Sequence, residues 1–111
     1  MKMAGIFMET VATYRKHGWE LRSALLQPAT RAEFDEQEME LLQGIPVHES
    51  PVDALWFSRP SHQKREAWEL RLLAQTPYAL FETFEQDEQE EDRDDVKREM
   101  EARLREYASK E

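Results

Sequence analysis

No cysteine occurs anywhere in the 111 residues. That excludes a disulfide framework, a thiolate nucleophile and a cysteine-ligated metal centre, so the fold must rest on its apolar core. Glycine is almost as scarce: Gly5, Gly18 and Gly44 stand far apart in the chain. A glycine-rich phosphate loop is therefore excluded as well. Long apolar runs are missing too. The stretch Ala4 to Met8 is interrupted by Glu9, too short for a signal-peptide core or a membrane span, and the expectation is a soluble, cytoplasmic chain without a membrane contact. The basic clusters Arg15-Lys16-His17 and Lys64-Arg65 are short. They cannot track a phosphate backbone, and direct nucleic-acid binding is not expected.

What is present suffices for one core: 40% of residues are hydrophobic and 10% aromatic, which points to a single domain over residues 1–111. The net charge of -9 is concentrated. Residues 85–95, EQDEQEEDRDD, hold eight acids and one arginine, or -7, leaving -2 for the rest of the chain. The body is nearly neutral, and the acidic segment reads as a solvated lead-in to a helix. It has no glycine at the turn of a calcium-binding loop and is small for a mimic of nucleic-acid charge.

Periodicity places the elements. Met3, Phe7, Val11 and Tyr14 make an amphipathic stripe for a helix over 3–17, closed by Gly18. A strand follows over 19–27. Thr30 and Glu33 form a capping-box pattern for a helix over 30–43. Three aromatic-rich segments, 52–59, 66–75 and 78–86, read as an antiparallel meander, and Val96, Met100, Leu104 and Tyr107 mark a last helix over 94–108. The expected fold is an α+β two-layer sandwich, with about four mainly antiparallel strands and helices mainly on one face. The tetrapeptide WELR occurs at Trp19 and again at Trp68. Its two copies have different neighbours, so they read as two amphipathic strands and not as a duplicated unit.

Candidate chemistry is thin. His17, His48 and His62 lack the spacing that puts two metal ligands on one helix face, so neither a metal site nor a cofactor is expected. Ser58, Ser61 and His62 suit a hairpin turn, which explains them without a nucleophile. No catalytic residue is assigned. A two-residue turn at Thr76-Pro77 would pair Gln75 with Tyr78 and set Arg71 opposite Glu82. One face then carries Trp68, Leu70, Leu72, Phe81, Leu55 and Phe57 for the helices. The other carries Trp56, Leu73, Tyr78, Leu80 and Phe84 around Glu69, Arg71 and Glu82. Either long side chains such as Arg71 or a crossing of the last helix covers these aromatics, or, as aromatics with Arg71 inside a ring of charge suit an interface, the face meets a protein partner or a second copy of the chain. The expectation is a non-catalytic interaction or regulatory protein. The alternative is a small enzyme or ligand-binding domain built on Glu69, Arg71 and Glu82, where the arginine would hold the carboxylates ionised and make them poor general acids.

Overall fold

The computed structural model describes residues 2–110. Among them the elements run α1 (Met3–Lys16), β1 (Glu20–Leu26), α2 (Pro28–Glu33), α3 (Glu36–Leu41), β2 (Val47–Glu49), β3 (Ala54–Pro60), β4 (Glu66–Leu72), β5 (Tyr78–Phe84) and α4 (Glu90–Ser109). The strands form one sheet in the order β2-β1-β3-β4-β5, parallel only between β1 and β2. The α+β class and the mainly antiparallel sheet match the expectation from sequence. The fifth strand, β2, does not come from periodicity: three residues between Pro46 and Pro51 are too few to show any.

Helix α1 ends as its sequence predicts. Gly18 has φ +83°, its N–H donates to the Arg15 carbonyl, and the Trp19 N–H donates to the Tyr14 carbonyl, the paired bonds of a left-handed helix closure. The single helix expected over 30–43 is two short ones instead. Phe34 adopts an extended backbone and buries its ring against Phe7 at 4.8 Å, so the chain breaks there. The capping box belongs to Asp35 and Glu38, while the Thr30 hydroxyl donates to the buried Asp53 carboxylate at 2.8 Å. Two cap patterns follow each other in sequence, and core burial of Phe34 selects the second.

The sheet is covered on both sides. Phe7, Val11 and Tyr14 of α1 pack with Leu21, Leu55 and Phe57, with α2 and α3 at the same side, whereas Met100 and Leu104 of α4 pack on Trp56, Leu70 and Phe84. Three of the four helices thus share one face, and the last crosses to the other. Helix α4 begins at Glu90, four residues before the expected start, because Glu90, Glu91 and Asp92 fill its first turn and suit the positive end of the helix dipole. Polar side chains fasten it. The Trp56 Nε1–H donates to Glu101 at 2.8 Å, Arg93 pairs with Glu66 at 3.0 Å, and the Lys97 ammonium lies 3.5 Å from the Trp68 ring centroid. The Trp68 N–H, aided by Arg93, holds the Glu66 carboxyl below its ordinary pKa, and burial lowers that of Lys97.

The pairing of β4 with β5 corrects the expected register. Leu72 pairs with Tyr78 and Arg71 with Ala79, so residues 73–77 form a five-residue loop in place of the two-residue turn. The slip is three residues. An odd slip exchanges the faces of one strand relative to its neighbour. The β3–β4 pairing differs from the expected faces as well, since Trp56 pairs with Leu70 and Phe57 with Glu69. Trp68, Leu70 and Leu72 therefore lie with Trp56, Tyr78, Leu80 and Phe84 beneath α4, and Glu69, Arg71 and Leu73 lie with Leu55, Phe57 and Phe81 on the α1 side.

Candidate functional site

The two edges of the sheet differ. β2 has three residues, whereas β5 has seven, Tyr78-Ala-Leu-Phe-Glu-Thr-Phe84, with a strand neighbour on one side only. Hydrogen-bond parity tells which of its backbone groups face outward. The Leu73 N–H donates to the Asp53 carbonyl and the Ser61 N–H to the Arg65 carbonyl, so odd-numbered residues of β4 bond toward β3 and even-numbered ones toward β5. In β5 the residues paired with those even positions are Tyr78, Leu80, Glu82 and Phe84. Ala79, Phe81 and Thr83 are left presenting N–H and C=O to the outside. The Thr83 N–H accordingly turns to the Glu82 carboxylate, at 3.2 Å.

Natural sheets protect such an edge with proline, lysine, a bulge or an overlying segment. β5 contains neither proline nor lysine, its register with β4 runs without a bulge, and its one charged residue, Glu82, covers only the Thr83 N–H. Its α1-side surface is apolar and open. Phe81 is 56% exposed, and α1 does not reach far enough across the sheet to cover it. The Trp19 ring stands edge-on to it at 6.5 Å, and the Arg59 guanidinium lies 4.5 Å from the Trp19 ring while donating to the His17 carbonyl at 2.8 Å.

Beside Phe81, its cross-strand partner Glu69 accepts a hydrogen bond from the Tyr14 hydroxyl. Burial first, and Glu69 second, push the Tyr14 pKa up to about 12. Arg71 lies 5.8 Å from the Tyr14 ring, its Nε buried without a protein acceptor, at a cleft of about 310 Å³ lined also by Glu9, Thr10 and Gln75. A phenol held neutral against a carboxylate positions α1 on β4. It offers no proton donor or base near neutral pH.

The residues singled out in the sequence are distributed as follows. Trp56 and Phe84 are buried, and Tyr78 and Leu80 half-buried, all beneath α4. Leu73 is buried on the α1 side. Glu69 and Arg71 are neighbours there, but Glu82 pairs across from Trp68 on the α4 side, so the three do not form one cluster. His17, His48 and His62 sit at the end of α1, in β2 and in a 3₁₀ turn at His62–Lys64. Among the described residues no group of three His, Asp or Glu side chains converges to hold a metal, and no helix is long and apolar enough to cross a membrane. Phe81, which pattern reading assigned to the covered face, is the exposed aromatic. The alternation in β5 sets Phe81 opposite in phase to Leu80 and Phe84, but which phase is covered depends on where the helices pack, which no local pattern marks. No family model, curated protein or solved structure matches the chain.

Proposed function

We propose that this is a small cytoplasmic interaction or regulatory protein, without catalytic activity, that binds protein through the outer edge of β5 and the apolar strip around Phe81. The observation that carries the reading is the seven-residue edge, free of proline, lysine and bulge, with an exposed aromatic at its centre. An extended peptide added to such an edge gains main-chain hydrogen bonds at alternate residues, with side-chain specificity from the flanking surface. Phe81, Trp19 and the Arg59 and Glu69 side chains supply that flank here. The proposed surface is not the one expected from sequence: α4 occupies the Trp56, Tyr78, Leu80 and Phe84 face, and the open aromatic lies on the side of α1.

Peptide display against the immobilised protein tests the reading. Phe81→Pro removes an outward N–H that no ladder bond uses, so it blocks strand addition while leaving β4–β5 pairing in place; Phe81→Lys does the same by charge. The wild-type chain should enrich extended, alternately apolar peptides, and both variants should lose that enrichment with unchanged circular dichroism. Equal enrichment by all three proteins, or none by any, would reject β5 as the binding edge.

A further inference from the structure

We infer that the strand received by β5 is β5 of a second copy of this chain, paired antiparallel about a two-fold axis at Phe81. This rests on the reading of β5 as a binding edge and specifies its partner. The strand is self-complementary in that register. Ala79 meets Thr83 of the second copy, Phe81 meets its counterpart, and Thr83 meets Ala79, so that three outward-facing pairs exchanging two bonds each make six N–H···O bonds once the two Thr83 N–H groups leave their Glu82 carboxylates. Centring the axis on Leu80 or Glu82 leaves only two such pairs, and the Glu82 register opposes two carboxylates directly. At Phe81 the charge conflict vanishes, because Glu82 lies across from Leu80.

Side chains and helices agree with the same axis. The Phe81 rings meet where each is now open to water, and the two Trp19 rings extend the contact into a cluster of four aromatics. Helix α4 runs opposite to β5, with Arg93 near Phe84 at 5.5 Å and Tyr107 stacked on Tyr78 at 3.7 Å. The two-fold therefore sets two α4 helices antiparallel. Residues 90–95, with net charge -4, then lie toward residues 105–110 of the other helix, with net charge +1, where a parallel arrangement would oppose like charges. Edge pairing of single strands buries less than about 1,200 Å², the size of weak, reversible interfaces. The dimer should form in the micromolar range and dissociate on dilution.

The absence of cysteine makes the register readable. Ala79→Cys and Thr83→Cys, each carrying the only thiol of its chain, should cross-link when mixed, since directly paired residues fall within disulfide reach. Each variant alone places its thiols four residues apart, roughly 13 Å, and should cross-link at least about tenfold more slowly. The wild-type solution mass should rise from monomer to dimer with concentration, and that of Phe81→Pro should remain monomeric. Equal cross-linking alone and mixed, or a wild-type mass that stays monomeric at every concentration, overturns self-pairing. If peptide display still depends on Phe81, the binding edge survives and only the identity of its occupant is wrong.

Discussion

Asp53 is 3% exposed and joins three parts of the fold. Its carboxylate accepts the Gln27 N–H at 2.8 Å, the Gln27 side-chain amide at 2.9 Å and the Thr30 hydroxyl at 2.8 Å, and its carbonyl accepts the Leu73 N–H at 2.9 Å. Asp53→Ala keeps the last bond and deletes the other three. Each bond to a charged acceptor contributes about 1.5–3 kcal/mol, and each buried donor left unpaired costs about 1–3 kcal/mol, but the terms overlap because the same groups are counted twice. The expected loss is about 3–5 kcal/mol, a large part of the roughly 5–15 kcal/mol that holds a domain together. Asp53→Asn retains an oxygen for the Gln27 N–H and should lose about 1–3 kcal/mol, from the bonds that depend on charge. Urea unfolding with an unchanged slope measures both. An alanine loss below about 1 kcal/mol, or an asparagine variant less stable than the alanine one, would refute the clamp.

The tryptophan of the second WELR should matter more than the charges of the first: Trp68→Ala, which removes the ring beneath Lys97, should cost about 3–5 kcal/mol, and Glu20→Gln, at an exposed pair with Arg22, less than about 0.5 kcal/mol. Thermal unfolding of the two variants checks the contrast. Replacing Glu88, Glu90 and Glu91 together with glutamine should change stability little, since Glu90 and Glu91 are exposed and Glu88 only caps the adjacent turn. Tyr14 binds its proton more tightly in the folded chain, so its contribution is complete below pH 10 and is lost as pH rises from 10 to about 12. Unfolding free energies across that window should fall more steeply for wild type than for Tyr14→Phe, and equal slopes would count against the buried Tyr14–Glu69 bond.

What could be read from the sequence was whatever repeats locally. The α1 stripe and its Gly18 closure, and the Val96, Met100, Leu104 and Tyr107 stripe, are legible because a helix writes its buried face every three or four residues. That stripe says a helix must pack without saying on which side of the sheet, so the crossing of α4 was visible only as an option. The β4–β5 register failed for a different reason. Gln75-Thr76-Pro77 reads as a tight turn, but the Leu73 N–H stays bonded to Asp53, which holds the chain in β3–β4 pairing and lengthens the loop. One odd slip then sent Glu82 away from Arg71 and brought Phe81 beside Glu69. Those neighbours, and Tyr14 from 55 residues away, depend on register and packing, which no local pattern encodes.

Amide hydrogen exchange, resolved residue by residue, tests the binding edge most directly. The N–H groups of Leu80 and Glu82, which face β4, should be protected at every concentration, whereas those of Ala79 and Phe81 should exchange fast in dilute solution and become protected at millimolar concentration. Phe81→Lys should keep the first protection and never acquire the second. If the Ala79 and Phe81 amides are already slow in the dilute monomer, the edge is covered within the chain; if they stay fast at every concentration and with display-selected peptides alike, it takes no strand. Either result contradicts the function proposed for β5.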